Sequence, residues 1–419
     1  MVKERREQIM GITRRSFLKI CAGTGAAIGA TGTLPKIVRA QKRPSLLRIA
    51  VISDMTGPYA AVSGTAHNAY VDACQYVNEH GGIKGVPLEP VVFDCGGKVD
   101  LAVSQYMHIR DMKPRPIVTL SWISAVSEAL HDRFVEDKIT CLSVASAESL
   151  YPKANTFGLW PIYSDTYGLF CDWLKETWKD PRPPKVAIVT WDTTYGRAIL
   201  YPECYEYAKS KGVEIVATEL YTPKDIDLTV HVTRCRNKGA DWIVNNTSAV
   251  GPVPVLKAIK DIGWKDVKFC GSGTPYEWST MYIVPEEFDG TYGVLSCYGW
   301  DEPEQPGIKT ITEYFKVKGR NPVKDRTITY LVSWFSTVLI KDVVSKAVDA
   351  VGWGKLNSLA IKEQMLKMKD YSPLGCMPVN FTKDRMSPTK ARMMQAKGGK
   401  YLPLTDFREC PDVRPAKFK

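Results

Sequence analysis

Two stretches of this chain put serine hydroxyls where a strand gives way to the next element: Leu120-Ser121-Trp122-Ile123-Ser124 and Ala145-Ser146-Ala147. The first opens a helix expected over 125–136. A helix start leaves backbone N–H groups without intrahelical partners and carries partial positive charge, which suits a carboxylate. Ser124 and Ser146 add hydroxyl donors to amides such as that of Ala145. Ser124 is equally suited to capping its helix and nothing more. Aromatic residues gather at or near the strand-end loops: Tyr59, Trp122, Trp160, Tyr163, Trp191, Tyr195, Tyr276 and Tyr298. Aromatic walls bury wide, flat surface and favour ring-bearing or long apolar ligands, although such rings also serve to pack the core. A pocket is lined by few groups, so about three of these rings are expected to touch a ligand.

The motifs of covalent and phosphoryl chemistry are missing. No Gly-x-x-x-x-Gly-Lys-Ser/Thr loop, His-Glu-x-x-His or Gly-x-Ser-x-Gly elbow occurs, and the five histidines stand singly. No Cys-x-x-Cys or cysteine–histidine cluster has zinc spacing. Gly271-Ser272-Gly273 lacks the third glycine of a cofactor fingerprint. Gly23 to Gly29 imitates one, but no strand precedes it. These absences point away from an enzyme and from a bound metal or cofactor.

The elements that must position the hydroxyls begin at Arg48. An apolar strand over 48–53 runs into a loop over 54–64. Ala66, Ala69, Tyr70, Ala73, Cys74 and Val77 then form one helical stripe, closed by Gly81-Gly82, and a second strand follows over 88–94. Strands and helices go on alternating: helix 99–112, strand 116–120, helix 125–136, strand 139–144. This pattern predicts a doubly wound parallel sheet, with the loops at its carboxyl edge as the ligand site. Trp160-Pro161 interrupts it, and a second half starts over. Leu169, Phe170, Trp173, Leu174 and Trp178 make a helical stripe, and a strand over 186–191 exits through Asp192-Thr193-Thr194-Tyr195-Gly196. Pro202 either kinks the next helix or starts it. Further strands are expected over 213–220, 242–245, 267–271 and 290–298, with helices over 226–237 and 252–262. A long apolar helix is expected over 329–351. Between Arg326 and Lys341 it has 14 uncharged residues, too few to span a membrane, so it is assigned to the core. The tail, 379–404, alternates like a hairpin around Gly398-Gly399.

Met55-Thr56-Gly57-Pro58-Tyr59-Ala60-Ala61-Val62-Ser63-Gly64, the helix after it, and the run from Asn78 to Asp94 resemble the amino end of bacterial periplasmic binding proteins of the branched-chain amino acid type. These are solute receptors of ABC importers, and the resemblance extends over 46–407. It implies a type I periplasmic binding protein fold: two doubly wound lobes, 46–160 with 299–377 and 161–298 with 378–419. They are joined by a three-strand hinge near Trp160, Tyr298 and Met377 and close over a ligand. In the family, hydroxyls and amides at the positions of Ser124 and Ser146 hold the ligand α-carboxylate. Tyr195 matches a tyrosine of the second wall, and Ser248 stands where the family has a tyrosine near the ligand ammonium. At Cys270-Gly271-Ser272-Gly273-Thr274 the family has Pro-Glu-Gly, whose glutamate pairs with that ammonium. This chain offers Gly273 or Thr274 instead. A buried ammonium without a counter-charge costs several kcal/mol, so the expected ligand is a small carboxylate with an apolar or aromatic body. Glu277, one turn further on, is a possible substitute but reads as a solvated helix residue.

The remaining features agree with an exported receptor. The chain has 419 residues, 44% hydrophobic and 24% charged, enough for two or three domains with a substantial core. Of the net charge of +11, residues 1–40 supply +6, and no basic stripe with interleaved aromatics suggests nucleic acid. Thr13-Arg14-Arg15-Ser16-Phe17-Leu18-Lys19 matches the twin-arginine export pattern. An uncharged run over 20–34 and Val38-Arg39-Ala40 follow it, which predicts cleavage before Gln41. Several of the ten cysteines then left are expected to pair in an oxidising compartment, Cys270 with Cys297 among the attractive pairs. The expected partners are a small-molecule ligand and ABC permease subunits, with the chain a monomer. The rival expectations are a branched-chain amino acid receptor and a sensor subunit that docks on a membrane kinase or receptor.

Overall fold

A computed structural model describes residues 43–143, 150, 155–272 and 277–419. The export segment, Ala145, Ser146, Thr274 and Tyr276 lie outside these. Five strands, β1 (Leu47–Ser53), β2 (Leu88–Asp94), β3 (Val118–Ser121), β4 (Cys141–Ser143) and β5 (Thr156–Gly158), form a parallel sheet in the order β2-β1-β3-β4-β5. β1 is central and six of its seven residues are buried, as a strand covered on both faces must be. Val51 lies opposite both Val92 and Leu120. β5 falls in the interruption before Trp160 and was not anticipated. At three residues it is too short for its alternation to be read.

The second sheet contains β6 (Lys185–Trp191), β7 (Glu214–Tyr221), β8 (Trp242–Asn245), β9 (Lys268–Ser272), β10 (Tyr292–Leu295), β11 (Lys390–Lys397) and β12 (Lys400–Pro403), ordered β12-β11-β10-β9-β8-β6-β7. A two-residue strand, Arg408–Glu409, also pairs with β11. β6 to β10 are parallel, and β11 and β12 add an antiparallel hairpin. The hairpin turns at Gly398 and Gly399, whose φ values of 59° and 73° suit glycine. The hairpin lies in the part of the expected tail around Gly398-Gly399, whereas the start of that tail, 379–382, stays outside it and makes only an isolated bridge from Val379 to Tyr371. The strand expected over 290–298 ends at Leu295. Beyond it the Tyr298 N–H donates to the Cys376 carbonyl at 2.8 Å, so two of the expected crossing segments run side by side.

Pro202 starts its helix, Pro202–Ser210, where the missing N–H costs nothing. The stripe from Ala66 to Val77 is buried on the helix Ala66–Glu79. The long helix Ile328–Val351 packs on it and is a core helix, with 17 of its 24 residues buried. Asp72 ties the two: Tyr330 Oη donates to its carboxylate at 2.6 Å, and Arg320 pairs with it at 2.6 and 2.7 Å.

The cysteine expectation fails. All ten cysteines outside the export segment are buried and unpaired. Cys270 neighbours Cys171, whereas Cys297 neighbours Arg392 and Cys376. Burial pushes their thiols up, and they act as small apolar fillers.

Candidate functional site

In each sheet the winding reverses direction once at the carboxyl edge: between β1 and β3 in the first, and between β6 and β8 in the second. Such a reversal separates two exit loops and opens a crevice. The two crevices meet in one cavity of about 250 Å³. From the first sheet Tyr59, Val62 and Ser63 line it after β1, and Trp122, Ile123, Ser124 and Ala125 after β3. From the second come Thr193, Thr194 and Tyr195 after β6, Ser248 after β8, and Tyr163. Five residues named from the sequence, Tyr59, Trp122, Ser124, Tyr195 and Ser248, therefore share one cavity.

Tyr59 is held by its loop. The buried Asp54 carboxylate accepts from Gly57 N at 2.5 Å and Tyr59 N at 2.8 Å. Asp94 accepts from Met55 N, Thr56 Oγ1 and Gly96 N at 2.8, 2.7 and 3.0 Å. The Tyr59 ring meets Trp191 edge-on at 5.9 Å across the cleft, and its hydroxyl bonds Thr193. Burial raises the Tyr59 hydroxyl above its ordinary value, so it stays neutral. Trp122 is anchored by its indole N–H, which donates to Tyr70 Oη at 3.2 Å.

Ser124 is the first residue of the helix Ser124–Glu136. Its N-cap is Ile123, which supplies no side-chain bond. The capping alternative for Ser124 is thereby corrected: the extended backbone falls one residue earlier, on a side chain with nothing to donate or accept. The Ser124 hydroxyl instead bonds the Tyr163 hydroxyl from the other wall. Tyr163 packs on Tyr195 with ring centroids 4.4 Å apart. The Tyr195 carbonyl accepts from Asn246 Nδ2 at 2.8 Å, and Thr193 caps the short helix Thr194–Arg197. Ser248 is buried in a loop pinned by Tyr221 Oη to the Gly251 carbonyl at 2.6 Å. Among the described residues lining the cavity, none carries a formal charge.

Glu277 is not solvated. It is fully buried, caps the helix Trp278–Ile283, and accepts from Trp278 N at 2.8 Å and Ile328 N at 2.9 Å. Burial pushes its carboxyl up to about 8 against the pull of these amides. The sequence reading missed that a helix from a distant part of the chain covers it. Of the eight aromatic residues, Tyr59, Trp122, Tyr163 and Tyr195 line the cavity, Trp160, Trp191 and Tyr298 do not, and Tyr276 lies outside the described residues. Val62, Ser63, Ile123, Ala125, Thr193 and Thr194 also line it. The signal for them was their place in the same exit loops.

A two-lobed α/β protein with its cavity at paired switch points is a recognisable class, and residues 47–400 match the family model described as "Periplasmic binding protein". The chain belongs to this family and has the type I periplasmic binding protein fold. A Leu/Ile/Val-binding protein homolog 8 of Brucella abortus is 25% identical over 58% of this chain, a match spanning only 59% of that protein. A leucine-, isoleucine-, valine-, threonine- and alanine-binding protein of Pseudomonas aeruginosa is 21% identical over 73% of this chain and 79% of its own length. In fold, the chain is similar to a branched chain amino acid ABC transporter protein of Thermus thermophilus with bound valine (TM-score 0.78, 19% identity, 88% of this chain and 97% of that one). A fatty acid ABC transporter substrate-binding protein of Thermomonospora curvata is similar too (TM-score 0.74, 19% identity, 88% and 93%). These relatives are solute-binding proteins, not enzymes.

Proposed function

We propose that this protein is an exported solute receptor of an ABC importer. It binds a small carboxylate with an apolar or aromatic body and delivers it to a membrane permease. The single observation that carries the ligand class is the uncharged lining of the described cavity beside an uncapped helix start at Ser124. Free amides there and the Ser124 hydroxyl receive the carboxylate. Ala145 and Ser146 supply further donors in this reading, and Thr274 stands where a counter-charge would be needed. Tyr59, Trp122, Tyr163 and Tyr195 shape the space for the ligand body, with Ser248 at its far side. The lobes are 46–160 with 299–377 and 161–298 with 378–419, the export route is the twin-arginine pathway to the periplasm, and the chain acts as a monomer.

The second reading, a branched-chain amino acid receptor, is favoured by the names of the relatives. Against it, Glu277 is the substitute counter-charge the sequence offered, and its carboxyl is already engaged by backbone amides. Calorimetry with leucine, valine, 4-methylpentanoate (leucine without its amino group) and phenylacetate separates the two. The deaminated or aromatic acids are expected to bind more tightly. Tight leucine or valine binding with no response to the acids would overturn the preference. Ser146→Ala is expected to weaken carboxylate binding by roughly 1.5–3 kcal/mol, the range for charge-assisted bonds, and unchanged affinity would mean that the carboxylate sits elsewhere.

A further inference from the structure

Glu277 links parts of the chain that belong to different sheets. It follows β9 of the second sheet and caps the helix Trp278–Ile283, where Thr280 Oγ1 donates to the Ala249 carbonyl next to the cavity residue Ser248. Its two carboxyl oxygens also accept from Ile328 N, at 3.1 and 2.9 Å. Ile328 opens the long helix that packs on Ala66–Glu79 of the first sheet. The cap of that helix, Thr327, accepts from Tyr330 N at 3.1 Å and meets Thr65 Oγ1 at 2.8 Å, just past the cavity residue Ser63. One buried carboxyl thus serves the amino ends of two helices, one from each side of the cleft. Among the described residues no basic side chain forms an ion pair with it. A second tie lies alongside: Asp301 accepts from Trp278 Nε1 at 2.9 Å and from Arg326 at 2.7 Å.

We infer that Glu277 is the clasp of the cleft, a positioning residue that forms its bond to the Ile328 amide when the lobes close and releases it when they open. The inference rests on the receptor reading for its link to affinity. The carboxyl takes three amide contacts, the Trp278 N–H on Oε1 and the Ile328 N–H shared between Oε1 and Oε2, and its length lets it reach both helix starts. Opening the lobes exchanges the buried Ile328 amide bond for water. Removing the carboxyl leaves that amide unsatisfied in the closed state only, and therefore shifts the balance towards opening.

The test compares wild type, Glu277→Ala and Glu277→Gln, which keeps one acceptor oxygen. Small-angle X-ray scattering of the ligand-free protein reads closure, and calorimetry with stopped-flow reads binding of the acids named above. Expected are a larger radius of gyration for the alanine variant and a roughly 10- to 100-fold loss of affinity carried by faster dissociation, with glutamine intermediate. A residue that only stabilises the fold would lower the thermal midpoint and leave both the radius and the dissociation rate at 20 °C unchanged; that result would overturn the clasp. If the alanine variant does not fold, the glutamine variant is judged on the same two readouts. If wild type binds none of the acids, the ligand reading falls, while the ligand-free scattering comparison still decides the clasp.

Discussion

The two loops that leave β1 and β6 occupy the same place in their sheets, and both begin with an aspartate. They are built on opposite physics. Asp54 is buried and turns inward, its carboxylate accepting the Gly57 and Tyr59 amides and so setting where Tyr59 stands. Asp192 turns outward and pairs with Arg197, both side chains about half exposed. In the second loop the inward role passes to the Thr193 hydroxyl, which accepts from Gly196 N at 3.2 Å. Each loop also needs a glycine against backbone: a Cβ at Gly57 would collide with the Gly96 carbonyl, and one at Gly196 with the Trp191 carbonyl. The lesson is that a repeated letter at a strand exit marks the position of a site without marking the interaction that holds it.

This contrast can be broken or sharpened by substitution. The largest effect is expected from Asp54→Ala, which strands two amides of a buried turn; chemical denaturation should show a loss of roughly 2–4 kcal/mol, and ligand binding should fall with it. A loss below 1 kcal/mol would mean that Asp54 does not organise the loop. Next is Tyr59→Phe, which removes the hydroxyl bond to Thr193 across the cleft. Calorimetry should show weaker binding by about 0.5–1.5 kcal/mol with stability unchanged. A third test uses pH. At Asp94, burial raises the carboxyl pKa, but the Met55 N–H, the Thr56 hydroxyl and the Gly96 N–H outweigh it and hold the group below its usual 3.8. A depressed folded pKa means stability that is present above the unfolded value and lost as pH falls through the folded one. Thermal midpoints measured from pH 5 down to 2 should therefore drop less steeply for Asp94→Asn than for wild type. The smallest effect is expected from Asp192→Ala, an exposed pair, whose midpoint and affinity should match wild type. A clear loss there would erase the distinction between the loops.

Much of this was legible in the chain. β1, the stripe from Ala66 to Val77 and β2 were readable because each shows its own periodicity. Tyr59, Trp122, Ser124, Tyr195 and Ser248 were readable as neighbours because strand exits in a doubly wound sheet share an edge. Ala145, Ser146 and Thr274 lie outside the described residues. β5 was not readable, since three residues carry no period, and the fate of the ten cysteines was not, since pairing depends on which side chains meet. Ile123 as the N-cap escaped notice because propensity favours the adjacent serine.

The sequence by itself determined the alternation of strands and helices, the loops that carry hydroxyls and rings, and the lack of a carboxylate at Gly273 and Thr274. Those are local properties, written in spacing and residue type. Tertiary structure alone decided that Glu277 is buried and spent on the Ile328 amide, that Ser124 faces Tyr163, and that Asp54 and Asp192 part ways. Each of these depends on which distant segment covers the residue, and burial sets whether a polar group meets water, an amide or another hydroxyl.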